Sequence, residues 1–256
     1  MKNALSIRII SASALASVLI VLGLAQSTVG AAPTATANSV VSGWQISQQT
    51  TTLTSANPVY TMTVSQPVLK SAGSNADSFN KAVQTVIDNA ENDFKSSAAD
   101  SQGTNNYLLM GYELYATDNN ILSVRFQSEE FTGGAHPGHA TITLNFDLQS
   151  GASLALSDVF APKAKYLDVI AKFATDELKR ENRLSFPDGA APTAANYANW
   201  NIDHGGLLFT FDEYQVGPYA EGPSEVFIPY TVLGDLINSD FDQRILVRGL
   251  AATPGS

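Results

Sequence analysis

Apolar residues recur along this chain with two different periods, and the order of those periods restricts the fold more than any other feature. In ILSVRFQSEEF, Leu122, Val124 and Phe126 fall at every second position, and in ATITLNFDLQ the series is Ile142, Leu144, Phe146 and Leu148. Such alternation predicts strands with one buried face. Two earlier runs, QISQQTTTLT and VYTMTVSQPVL, are rich in β-branched residues and break at Asn57-Pro58, which predicts strands joined by a turn. Between these pairs the spacing lengthens. Phe79, Val83, Val86, Ile87, Ala90 and Phe94 recur at three and four, which predicts a helix with Ser74 or Asn75 as its N-cap. A strand in NYLLMGYELYAT precedes a short turn at Asp118-Asn119-Asn120. A second helix is expected from about Pro162 to Arg183, with Tyr166, Val169, Ile170, Phe173, Ala174 and Leu178 inward.

Residues 185–199 read as loop, and GLLFTFDEYQV and SEVFIPYTVL as strands around GPYAEGP, followed by a short helix near Leu233 to Ile237. Strands, helix, meander, helix and strands in that order lack the regular βαβ alternation of a doubly wound fold. The expected class is α+β, an antiparallel sheet meander packed with two main helices.

The chain opens with Lys2 and Arg8 ahead of an apolar stretch from Ile9 to Ala25, and Val29-Gly30-Ala31 fits small-x-small cleavage. This predicts a secretory signal peptide over 1–31, with no stable membrane span once it is removed. Residues 26–43, rich in Ser, Thr, Ala, Gly and Val with Pro33, read as a tether. There is no cysteine, which excludes disulfides and thiolate metal sites, so stability rests on a packed core. The net charge is −10, and losing Lys2 and Arg8 from a leader without acids makes it −12. Nucleic acid is excluded as a partner because it rewards basic patches, whereas a basic protein is permitted.

Chemistry-bearing residues concentrate in two segments. In Glu129-Glu130-Phe131-Thr132-Gly133-Gly134-Ala135-His136-Pro137-Gly138-His139 the paired glycines and Pro137 shape a loop between strands. His136, His139 and the distant His204, with Glu129 or Glu130, are the residues from which a metal site would be built. The alternative is a loop in which His136 bonds to backbone and His139 is solvated. In the second segment Asp212 and Glu213 point to opposite faces if they lie on a strand, a poor arrangement for paired acid and base work. Tyr214 and Tyr219, around Pro218 and Gly222, form either a ligand-facing aromatic rim or a pinned turn. No nucleophile-elbow or phosphate-loop motif is present.

FTGGAHPG, NFDLQSGASLALSDVF and GLLFTFDEYQVGPYAEGPSEVFIPY together resemble the RsiV/PdaC-type extracytoplasmic domain family, in which a domain of unknown function follows a smaller one. The resemblance implies a fold like a subdomain of the actin-like ATPases without their nucleotide site. It implies a smaller α+β domain over 44–128 after a linker at 32–43, a second domain over 129–240 and a tail at 241–256. With only Met1–Arg8 ahead of the apolar stretch, no sigma-binding domain is expected, and no deacetylase domain is expected after Ser256.

The expected function is therefore an exported, non-catalytic recognition module for lysozyme, another basic protein or a cell-wall glycan, with no cofactor and no metal. Its binding residues are expected among Gly133, Gly134, His136, Pro137, Tyr214, Pro218, Tyr219 and Gly222. A metal-dependent cell-wall hydrolase and a structural, antigen-like secreted protein stand as alternatives.

Overall fold

A computed structural model describes residues 39–41, 44–70, 74–101, 103–116 and 120–241. The signal peptide, most of the linker, Asp118 and Asn119 of the expected turn, and all but Phe241 of the tail lie outside the described residues. Strands β1 (Ser39–Val41), β2 (Trp44–Ala56), β3 (Val59–Lys70), β4 (Asn106–Ala116), β5 (Ile121–Phe131), β6 (Gly138–Asp147) and β7 (Ala152–Ser153) form one seven-stranded sheet in chain order. Helix α1 (Ser74–Asp100) lies between β3 and β4 in sequence. Strands β8 (Trp200–Asp203), β9 (Gly206–Phe211) and β10 (Ser224–Pro229) form a second sheet of three, accompanied by α2 (Tyr166–Arg180) and α3 (Tyr230–Leu233). The fold is mixed α/β with an antiparallel-rich large sheet.

Four details differ from the sequence reading. Ser39–Val41, read as tether, pair with Trp44–Ile46 of β2. The large sheet is not wholly antiparallel, because β3 and β4 run parallel. A parallel pair cannot be closed by a tight turn, and α1 supplies the crossover. The second helix starts at Tyr166 instead of Pro162, since Lys163 holds a positive φ of 66° that a helix does not admit. Finally, 185–199 is not a plain loop but contains 3₁₀ turns at Pro187–Ala190 and Ala195–Tyr197 and leads into β8, a strand too short to show alternation. Tyr197 from this segment is buried edge-on against Phe209 and Phe211, and its hydroxyl donates to Ala190 O at 2.7 Å.

The expected inner face of α1 does lie on the sheet. Phe79, Val83, Ile87 and Phe94 are buried, the first three with Val124, Phe126, Leu144 and Phe146, and each contributes about 1.5–3 kcal/mol through loss of apolar surface to water. A second core lies between α2 and the small sheet, where Ile170, Ala174 and Leu178 meet Phe209, Phe211, Val226 and Ile228.

The other face of β5 is where periodicity misled. Alternation predicts one buried face, yet Ile121, Ser123 and Arg125 are as buried as Leu122, Val124 and Phe126. The small sheet stands on this second face through polar side chains. Ser123 Oγ donates to Asn145 Oδ1 at 2.6 Å and accepts from Asn201 Nδ2 at 2.7 Å and Ile202 N at 3.1 Å. Asn145 Nδ2 donates to Trp200 O at 2.8 Å, so side chains of the large sheet satisfy backbone groups of β8 that no further strand among the described residues pairs. Arg125 completes the contact. Its guanidinium lies 2.5 Å from Glu113 Oε2 and from Glu225 Oε1, and 3.3 Å from Thr210 Oγ1. Burial works against this charge, but Tyr115, Glu225 and Glu113 outweigh it and hold the pKa above the ordinary arginine value.

Candidate functional site

The two segments singled out by sequence meet at one place. β5 ends at Phe131, the chain reverses through Gly133 (φ 112°) and Gly134 (φ 107°), and β6 begins at Gly138. These are conformations that side-chain-bearing residues rarely adopt. Across from this loop, β9 ends at Phe211 and the chain turns at Asp212–Gln215, with Tyr214 at a positive φ of 65° and 59% exposed. The second turn is held from behind. Gln215 Nε2 donates to Gly189 O at 3.0 Å and Asn196 O at 2.9 Å, and the Arg183 guanidinium donates to the carbonyls of Glu221 and Pro223 at 2.8 Å each.

Tyr219 joins the two segments. Its ring stacks on His136 with centroids 3.9 Å apart, lies 6.0 Å from the His139 ring and 5.9 Å from Tyr214, and its hydroxyl donates to Pro137 O at 3.1 Å. His136 Nδ1 is 2.9 Å from the same carbonyl, which accepts only, so the ring carries its proton there. His139 sits between carboxylates, with Nδ1 3.0 Å from Glu213 Oε1 and Nε2 3.6 Å from Glu129 Oε2. Glu129 in turn accepts from Tyr107 Oη at 2.7 Å, and Tyr107 stacks on Phe131. Burial, followed by the neighbouring Glu129, pushes the Tyr107 hydroxyl up to about 12, so it remains a donor throughout the physiological range.

Strand register extends this surface. Thr52, Thr63, Leu109, Glu129 and His139 are successive partners across β2 to β6, so their side chains share one face, opposite the face that carries α1. Leu109 on this row is exposed, and a Cβ added at nearby Gly111 would meet nothing within 4 Å.

Of the expected residues, Gly133, Gly134, His136 and Pro137 lie on the first turn, and Tyr214, Pro218, Tyr219 and Gly222 on the second, with Gly222 at φ 65°. His204 does not join them. It occupies the β8–β9 turn, at the far end of β9 from Asp212, about 17 Å along a strand of this length. The three imidazoles therefore cannot share an ion, and among the described residues no three His, Asp or Glu groups are placed to hold a metal. His139 is paired instead of merely solvated.

The strand reading of Asp212 and Glu213 also needs correction, because β9 stops one residue earlier and both carboxylates reach β6. Asp212 Oδ1 accepts from Thr141 N at 3.1 Å and its Oδ2 from Asn199 Nδ2 at 3.1 Å, while Glu213 takes His139. Tyr107, Arg183 and Gln215 were missed by sequence reasoning. Nothing in their local spacing marks them, since each acts across the fold.

Asp212 carries a pH dependence. Burial raises its pKa, and the bonds from Thr141 and Asn199 only partly oppose that. A carboxyl whose folded pKa is raised stabilises the fold fully below the unfolded value near 3.8 and loses that contribution as pH rises through the folded value. Urea midpoints from pH 3 to 7 should thus fall for the wild type relative to Asp212→Asn as pH rises above about 4. Parallel curves would show that Asp212 titrates as it does in the unfolded chain.

Comparison with known proteins divides the chain at this site. Residues 53–139 match the family "Deacetylase PdaC" and residues 157–231 the family "Protein of unknown function (DUF3298)". The PdaC-type segment contributes Tyr107, Glu129, His136 and His139, the DUF3298-type segment Glu213, Tyr214 and Tyr219, so the contacts of Tyr219 with His136 and of Glu213 with His139 cross the seam between them.

The chain is 26% identical over 141 residues to the peptidoglycan-N-acetylmuramic acid deacetylase PdaC of Bacillus subtilis, a match over 53% of this chain and 30% of that protein. Two crystal structures of DUF3298 proteins share the fold. One, from Bacteroides fragilis, aligns with TM-score 0.59 at 23% identity over 80% of this chain and 95% of its own. The other, from Pseudomonas aeruginosa, aligns with TM-score 0.55 at 14% identity over 76% and 95%. The expected boundary between residues 128 and 129 falls within β5, whose strand runs on unbroken to Phe131.

Proposed function

We propose that this chain is an extracytoplasmic, cell-wall-related recognition module that binds a cationic partner on the face where its PdaC-type and DUF3298-type segments meet. The observation that carries this reading is the set of aromatic rings and carboxylates assembled across the seam, with Tyr219 on His136 and His139 between Glu129 and Glu213. Among the described residues, none of the three histidines is hydrogen-bonded to a serine or threonine hydroxyl, as an activated nucleophile would require. The similarity to a peptidoglycan deacetylase and the signal-like leader support a place in the cell envelope.

Charge supports the choice of partner. Residues 126–162 and 184–243, which supply both turns, contain no lysine or arginine, but they include Glu129, Glu130, Asp212, Glu213 and Glu221. A basic protein such as lysozyme complements that field, which raises the rate of encounter and selects against acidic competitors. Calorimetric titration with lysozyme at low and moderate salt is expected to give saturable heat that weakens with salt. Tyr219→Ala and the pair Glu129→Gln with Glu213→Gln should each weaken it by at least about tenfold. Absence of heat at both salt concentrations would count against a cationic protein.

A cell-wall glycan is the second reading, favoured by Tyr214, whose exposed ring offers an apolar face beside carboxylate acceptors. Co-sedimentation with insoluble peptidoglycan, lost in Tyr214→Ala, would decide for it.

A further inference from the structure

Among the described residues, the longest uncharged element, β2, is also the least protected sheet edge. β1 pairs with β2 only at Trp44–Ile46, so among the described residues the outer side of Ser47–Ala56, ten residues, has no strand beside it. Alternate residues of such an edge direct their N–H and C=O groups outward, where another strand can take them. Edges are ordinarily blunted by charged side chains, proline, bulges or short length. β2 has none of these over that span, and its register with β3 is unbroken across twelve pairs.

We propose that this edge pairs with the same edge of a second copy of the chain, extending the seven-stranded sheet across a two-fold axis. Three observations select a second copy. No Asp, Glu, Lys, Arg or His occurs from Ile9 to Leu69, so with Lys2 and Arg8 set aside the rest of the chain carries −12. Two copies therefore repel through most of their surfaces but not through this one. Leu53 and Val59, 46% and 44% exposed, stand on opposite faces of this hairpin, Leu53 in the row of Met62 and Val59 in the row of Thr63. On the face opposite Leu53, Thr50 bonds Ser65 and Thr52 bonds Thr63, which ties the two strands of the hairpin together beside the edge. An antiparallel pairing of identical strands is self-complementary and closes at two. With the axis at Thr52, the two Leu53 side chains occupy diagonal positions about 7–8 Å apart, within reach of one another.

Sedimentation velocity of the exported chain from about 1 µM to about 1 mM is expected to show a concentration-dependent dimer, with Leu53→Lys weakening it at least about tenfold while the unfolding midpoint is unchanged. Thr51→Pro and Thr52→Pro provide a backbone test, because adjacent residues direct their N–H groups to opposite sides. One of the two should abolish the dimer without loss of fold, and the other should disturb the pairing with β3. A monomer at every concentration would overturn the proposal. So would a dimer unaffected by Leu53→Lys, or one lost in Tyr219→Ala, which would place the interface on the aromatic face.

Discussion

Replacing Arg125 with alanine is expected to lower the stability of the folded chain by about 3 kcal/mol, a large part of what a domain of this size possesses. The side chain is 3% exposed and stands between Glu113 of the large sheet and Glu225 of the small one, with their carboxylates about one-third exposed. Removal deletes the group that neutralises both and opens a cavity between the layers. The two acids keep some access to water, which moderates the loss relative to a fully buried pair. Arg125→Met should cost less because it fills the space, and adding Glu113→Gln and Glu225→Gln to it should recover stability by removing the charges left behind. Urea unfolding of the set measures this. An Arg125→Ala variant within about 0.5 kcal/mol of wild type would show that the layers are held together without the cluster.

Gly189→Ala is expected to be comparably costly, about 3 kcal/mol, and to weaken partner binding as well. A Cβ at this position would lie 1.8 Å from Gln215 O and 2.6 Å from Gln215 C, backbone atoms that cannot rotate away. Gln215 anchors the turn that carries Tyr214, so relief of the clash must move that turn away from the 187–190 segment. The same displacement separates Tyr219 from His136 and Glu213 from His139. Unfolding midpoints together with titration of lysozyme or peptidoglycan separate the two consequences. If the midpoint and the affinity both stay at wild-type values, the close approach does not shape the site.

Arg125 and Gly189 show why part of this molecule was legible in its sequence and part was not. Alternation at Leu122, Val124 and Phe126 and helical spacing from Phe79 to Phe94 placed β5 and α1 correctly, because a chain in water must turn its apolar residues to one side and the period states which. The glycines of the first turn were equally readable, since only a residue without a Cβ settles at φ near 110°. Ser123 and Arg125, by contrast, occupy the polar positions of the same alternation, and nothing local distinguishes a polar side chain facing water from one facing a second sheet. The parallel pairing of β3 with β4 was hidden for a related reason, because strand direction depends on the route of a connecting helix.

The candidate site divides along the same line. Sequence identified His136, Tyr214 and Tyr219 from unusual local composition. Only the tertiary structure stacked Tyr219 on His136 and put Glu213 beside His139, residues 74 apart in the chain. Periodicity and turn chemistry are properties of neighbouring residues, so the chain by itself determined its elements, its exposed loops and its negative charge. Which polar groups meet depends on how two separate sheets dock, and docking is decided by the simultaneous satisfaction of buried hydrogen bonds and charges that no single segment contains.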